Sequence, residues 1–246
     1  RRKWRTAGRN RIFAGRLLCI TVKRKIREVK MQFDALILDV DGTLWNSTGI
    51  VARAWTKAVR EGGGNREITA EMLQEQFGKT MKVIADNLLP ELEPKQRYAI
   101  MDVCCVYEHE ALEEDPCHIC YPGVVDTIKE LSKRTKLMIV SNCQSGYIEL
   151  FLRKTGLEPY ITDTECYGDT GKNKDENIRL VVERNSLKHP VYVGDTQGDC
   201  DAAAKAGVPF VFASYGFGQA DHADAVIASF DELLSSESIS GQKGEA

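Results

Sequence analysis

Four short apolar runs, residues 35–40, 136–140, 191–194 and 209–213, constrain this chain more than any other feature. Each is strand length and nearly free of polar interruption, the pattern of strands buried on both faces, which arises in parallel sheets. Parallel neighbours need long crossovers, and helical patterns at 147–154 and 177–185 provide them between the second and third runs. The expected class is α/β, a doubly wound parallel sheet, with a weaker strand at 164–167 and a last one at 225–227.

One stretch breaks the alternation. From 46 to 120 there is no convincing strand, only helical patterns punctuated by Gly62-Gly63-Gly64, Gly78 and Pro90, and the chain returns through the turn Tyr121-Pro122-Gly123. This is expected to be an all-helical insert. Because it follows the first strand directly, it is placed to overhang the carboxyl ends of the strands, where open α/β sheets bind ligands. The expected organisation is a core of residues 31–45 and 121–236, a helical cap of 46–120 and a polar tail of 237–246.

Residues 1–30 stand apart, with twelve Lys or Arg against one acid, Glu28, which leaves the rest of the chain 21 basic and 35 acidic residues. That acidic balance argues against a nucleic-acid footprint on the folded body. A nucleic-acid or membrane arm and a transit peptide are alternatives for the head itself. The favoured expectation is a disordered or non-native extension preceding Met31. No apolar run is long enough to span a bilayer, so no membrane partner is expected and a cytoplasmic protein is the default.

Eight scattered cysteines in a chain of 246 residues do not suggest a disulfide framework. Cys117-His118-Ile119-Cys120, with Cys104 and Cys105 upstream, has spacing that could hold zinc; reduced thiols are the favoured reading.

The chemistry gathers where the strands end. The first run delivers Asp39-Val40-Asp41-Gly42-Thr43, two acids on a sharp turn, which are costly together unless a cation or a phosphate network compensates them. Hard oxygen donors favour magnesium over zinc. A solvated Asp-Gly turn is the plain alternative for that segment taken alone. Ser141 and Asn142 follow the second run, and Asp195-Thr196-Gln197-Gly198-Asp199 the third, so three buried strands load one edge with polar groups. Asp195 can reach a metal shared with Asp39. Lys172 and Lys174, before a helix opening near Asp175, are the candidate positive partners, against the plain reading of exposed helix-start lysines.

DVDGT at 39–43, Ser141, a lysine at 172 or 174, and GDTQGD at 194–199 resemble, in order, the four motifs of the haloacid dehalogenase superfamily. The resemblance covers 34 to about 218 and is closest to the phosphoglycolate-phosphatase and phosphoglucomutase-like branch. It implies strand order 5-4-1-2-3 and a magnesium-dependent phosphatase acting on a small-molecule phosphate ester through an aspartyl-phosphate. Asp39 is then the nucleophile and Asp41 the acid and base; Ser141 and Asn142, with the backbone N–H of Val40, face the phosphoryl group. Lys174 is preferred over Lys172 for charge neutralisation, because it directly precedes DENI. Asp39, Asp195 and the Asp41 carbonyl would hold magnesium, with Asp199 orienting the lysine or a bound water. Lys79, in the Gly78-Lys79-Thr80 turn, is a candidate substrate contact, and a plain turn is the equal alternative. A phosphomutase is the runner-up activity, and a non-catalytic binding protein of the same fold is the non-enzymatic alternative. The substrate is not legible. A monomer is expected, with Trp45, Trp55, Tyr215 and Phe217 as packing or loop anchors.

Overall fold

The computed structural model describes residues 33–116 and 118–235. Six strands form one parallel sheet: β1 (Ala35–Leu38), β2 (Lys136–Ser141), β3 (Asp163–Cys166), β4 (Pro190–Gly194), β5 (Phe210–Ala213) and β6 (Ala225–Ile227). Their order is β3-β2-β1-β4-β5-β6, so the expected 5-4-1-2-3 arrangement is present with β6 added beyond β5.

β1 is central, with Leu36 paired to Leu137 of β2 and Val191 of β4. All four of its residues are fully buried. Successive side chains point to opposite faces, so β1 feeds two cores. Leu36 and Leu38 pack on one face with Ile128 of α5 (Val124–Leu131) and Phe151 of α6 (Tyr147–Thr155). Ala35 and Ile37 pack on the other. There they meet Ile178 and Val181 of α8 (Lys174–Arg184) and Ala203 of α9 (Gln197–Ala206). The alanines of α9 let that helix lie close on the sheet. A short α7 (Tyr167–Thr170) follows β3, and α10 (Glu232–Ser235) ends the described chain.

Between β1 and α5 the described chain is helical: α1 (Thr48–Glu61), α2 (Ala70–Gln74), α3 (Met81–Leu88) and the 21-residue α4 (Pro94–Glu114). Thr69 caps α2 by accepting from the Met72 N–H, and Pro94 opens α4, where a missing N–H costs nothing. The insert's core is continuous with that of the sheet. Val51, Trp55, Ile84 and Leu112 belong to the same buried cluster as Leu36 and Leu38, joined through Leu44 and Trp45.

The basic head, the polar tail and Cys117 lie outside the described residues, and the zinc reading, which needs Cys117, lies partly outside them. No disulfide joins the described cysteines. Among the described residues no helix is long and apolar enough to cross a membrane.

Candidate active site

Three carboxylates converge at the carboxyl edge of the sheet, Asp39 after β1 and Asp195 and Asp199 after β4, with one oxygen of each lying within 4.8 Å of the others. All three are essentially inaccessible. Their convergence follows from the register, because β1 and β4 are neighbours and end together.

The positive partner is Lys174, at the first turn of α8. Asn173 and Glu176 form a reciprocal capping box that starts the helix at this point. From there the Lys174 ammonium donates to Asp39 Oδ1 at 3.0 Å and Asp199 Oδ1 at 2.6 Å. Burial works against its charge, but Asp199 and Asp39 override that and hold its pKa well above the ordinary lysine range. Lys172 stays exposed, its backbone carbonyl accepting from Asn177.

Asp199 is spoken for on both sides. While Oδ1 takes the lysine, Oδ2 accepts from the Thr196 N–H and hydroxyl at 3.0 and 2.7 Å, closing the capping box of α9. Asp195 accepts from Thr43 Oγ1 at 3.3 Å and from the Phe217 N–H at 2.7 Å. The backbone presses close around it. Gly42 turns at φ +83°, and a Cβ there would fall 2.1 Å from Asp195 Oδ2; one on Gly216 would fall 2.3 Å from Asp195 Cβ.

Three buried carboxylates against one ammonium leave two negative charges uncompensated. Burial, offset in part by Lys174, leaves the Asp39 pKa raised, and burial with repulsion from Asp199 and Asp39 raises that of Asp195. A divalent cation with a preference for oxygen ligands fits this donor set in charge and chemistry.

Asp41 is held by different groups. Its Oδ1 accepts from Trp45 Nε1 at 3.1 Å, Ser47 Oγ at 2.8 Å and the Tyr147 hydroxyl at 2.7 Å. Burial raises its pKa to about 6, against the pull of these three donors. The two acids of the first loop therefore sit in contrasting environments, one in a charged network and one among neutral donors.

Asp41 and Ser141 line a small cavity of about 20 Å³ with residues of the insert, room for about one water. Gly78, Lys79, Trp55 and Glu108 form its insert side, and Asn142 ties the two halves by donating to the Gly78 carbonyl at 2.8 Å. Lys79 is exposed, and its ammonium turns to the Glu75 carbonyl and Gln76 Oε1. A concavity of about 970 Å³ lies at the opposite end of the sheet around Phe33, Lys136 and His189 and holds none of these acids.

The structure thus brings Asp39, Asp195, Asp199 and Lys174 together, sets Asp41 on the loop after β1 and Ser141 at the last residue of β2 on the same edge, and keeps Lys172 away. Val40 is buried, its carbonyl capping the turn by accepting from the Leu44 N–H at 2.8 Å. Sequence reasoning missed Ser47 and Tyr147, and it gave Trp45 and Trp55 only packing. Trp45 does pack edge-on against Tyr147, but it also donates to Asp41. Trp55 donates at 2.8 Å to Glu108, an acid of α4 that is 3% exposed. Burial first, and the Asp41 charge second, raise the Glu108 pKa to about 8. A signal for it existed: Ile100, Cys104, Glu108 and Leu112 form one buried helical row, and only the third is an acid.

The family model described as haloacid dehalogenase-like hydrolase matches residues 36–213. A phosphoglycolate phosphatase of Vibrio parahaemolyticus is 27% identical over 221 residues, which cover 81% of this chain and 93% of that one. The pyrophosphatase PpaX of Oceanobacillus iheyensis is 23% identical, covering 72% and 82%. A solved haloacid dehalogenase-like hydrolase from Streptococcus pneumoniae superposes with a TM-score of 0.72 at 18% identity, covering 82% of this chain and 97% of the other.

Proposed function

Because this chain belongs to the haloacid dehalogenase-like hydrolase family, we propose that it is a magnesium-dependent phosphatase that hydrolyses a small-molecule phosphate monoester through an aspartyl-phosphate on Asp39. The observation that carries this reading is the contrast between the two acids of one loop. Asp39 lies against the Lys174 ammonium, which favours its carboxylate, while Asp41 accepts from the neutral donors Trp45, Ser47 and Tyr147, surroundings that suit it to give and take a proton.

The chain's residues divide the work. An Asp39 oxygen attacks phosphorus, forming the new P–O bond as the bond to the leaving oxygen breaks, and Asp41 delivers its proton to that oxygen. Asp41, now a carboxylate, removes a proton from water, whose oxygen attacks the acyl phosphate and releases inorganic phosphate from Asp39. Lys174 offsets charge on the phosphoryl oxygens, with Ser141 and the backbone N–H groups after Asp39 as donors. Asp199 holds Lys174 in place. Magnesium, held by Asp39, Asp195 and the Asp41 carbonyl, would supply further neutralisation of phosphoryl charge. The reading includes a monomer in the cytoplasm, where the cysteines stay reduced.

A panel of phosphate monoesters assayed with magnesium or EDTA, on the wild type and on Asp39→Asn and Asp41→Asn, tests it. The expected result is magnesium-dependent phosphate release, lost in both variants. Isomerisation of a sugar phosphate without release would transfer the reading to a mutase. A folded protein that does neither would overturn both.

A further inference from the structure

Two buried polar atoms beside Asp41 have no hydrogen-bond partner among the described residues. Asn142 spends its amide nitrogen on the Gly78 carbonyl at 2.8 Å, which fixes the orientation of the amide and leaves Oδ1 unpaired. Gln144 Nε2 is the second. Both residues line the cavity of about 20 Å³ that Asp41 and Ser141 share with the insert. Other polar groups of that lining are taken: Trp55 Nε1 by Glu108, the Tyr147 hydroxyl by Asp41, and the Lys79 ammonium by the Glu75 carbonyl and Gln76 Oε1. Buried polar atoms are normally satisfied, so this pair calls for an occupant.

The pair also selects the occupant. Asn142 Oδ1 can only accept and Gln144 Nε2 can only donate, so the group between them must do both. A bare cation would find no acceptor in Gln144 Nε2, and an anion no donor in Asn142 Oδ1. Water does both, and the volume suits about one molecule.

We propose that Asn142 and Gln144 seat the water that hydrolyses the aspartyl-phosphate. This rests on the phosphatase reading above and adds two positioning residues to it. A water held there donates one hydrogen to Asn142 Oδ1 and accepts from Gln144 Nε2, which leaves a lone pair for phosphorus and the second hydrogen for Asp41. Trp45, Ser47 and Tyr147 all address Asp41 Oδ1, so Oδ2 has no donor among the described residues and is left to take that proton. The water oxygen bonds to phosphorus, the bond from phosphorus to Asp39 breaks, and inorganic phosphate departs. Ser141, a donor to the phosphoryl group in the proposed chemistry, lines the same space and so puts the cavity next to the reacting atom.

The test follows alcohol release by rapid quench, with magnesium and the best ester of the monoester panel, in the wild type and in Gln144→Met, which keeps the length and removes the donor. Water enters only after the alcohol has left. Since kcat/KM reports the steps through formation of the aspartyl-phosphate, it is expected to stay within about twofold of wild type. Loss of the water's orientation is expected to lower kcat by about tenfold or more, with KM falling alongside it. The variant then releases a burst of one alcohol per site before its slow steady state. A fall in kcat/KM as large as that in kcat, or an unchanged kcat, overturns the inference and leaves the phosphatase standing. The wild type supplies a second measurement that holds even where Gln144→Met fails to fold. Its crystal structure is expected to show a water within about 3.2 Å of both Asn142 Oδ1 and Gln144 Nε2, and a site without one overturns the inference. A wild type inert toward the whole panel brings down the underlying reading as well.

Discussion

The Lys174 ammonium lies between Asp39 and Asp199, 3.0 Å from one and 2.6 Å from the other, with all three groups shut off from solvent. Such an arrangement is costly to assemble and more costly to break. Removing one partner leaves uncompensated buried charge, worth about 3–5 kcal/mol in comparable cases. Lys174→Ala is therefore expected to lower the unfolding free energy by roughly that amount, in urea titrations followed by circular dichroism. It should also cut kcat by about a hundredfold or more, the scale seen when a charge-stabilising donor is deleted. Lys172→Ala, at an exposed position, is expected to stay within about 0.5 kcal/mol of wild type.

Tyr147 reaches Asp41 from α6, one of three donors on the same carboxylate oxygen. Tyr147→Phe keeps the ring packed edge-on to Trp45 and removes one hydrogen bond, at a cost of about 1 kcal/mol. The expected outcome in steady-state kinetics is a fall in kcat of about tenfold with little change in KM, because the group disturbed is the one that moves the proton. A KM effect with unchanged kcat would show that Tyr147 serves substrate binding instead.

Gly42 can accept no side chain. A Cβ would sit 2.1 Å from Asp195 Oδ2, on a backbone at φ +83° that L-residues rarely adopt. Gly42→Ala is expected to displace Asp195, destabilise the fold by about 1–3 kcal/mol and raise the magnesium concentration needed for half-maximal activity. Differential scanning calorimetry and a magnesium titration of activity measure the two effects.

Magnesium itself should stabilise the folded chain, since binding only the native state adds RT ln(1 + [L]/Kd), about 2.7 kcal/mol at a hundredfold excess over Kd. The expected result is a higher Tm in magnesium than in EDTA, with the difference abolished in Asp195→Asn. An equal response in that variant would place the ion elsewhere.

Glu108 supplies a pH dependence of stability. Its folded pKa, near 8, lies above the ordinary 4.5, so the folded protein retains a proton that the unfolded chain has already lost. The associated stability is full below about pH 4.5 and declines as pH rises toward 8, by on the order of 4 kcal/mol if no ligand intervenes. Glu108→Gln removes that decline. The Tm of the variant relative to wild type should therefore rise between pH 5 and pH 8, and a flat difference would mean that Glu108 is ionised throughout.

The sheet and the acids on its edge were legible because both follow from local pattern. Buried strands read as apolar runs, and Asp39, Ser141 and Asp195 stand at the carboxyl ends of three of them. The α8 cap made Lys174 readable in outline, although only the helix start, one residue after Asn173, separates it from Lys172 in space. Tyr147 and Glu108 were not read because their roles depend on approach across long sequence separations, and Ser47, only six residues from Asp41, because the fold of the loop between them turns it back onto the carboxylate. Tyr147 meets Asp41 across 106 residues, and Trp55 meets Glu108 across 53. Periodicity shows which face of a helix is covered. It is silent on which side chain from another element arrives there.

The insert and the sheet share one hydrophobic interior, joined through Leu44 and Trp45, with Trp55 and Leu112 in the same cluster as Leu36 and Leu38. It follows that residues 46–120 are a poor module for transplantation. A chimaera carrying a relative's insert would inherit foreign shapes at a seam reaching down to the central strand, and close-packed interiors tolerate such mismatches badly. Changing the insert one side chain at a time is the route this architecture leaves open to a designer.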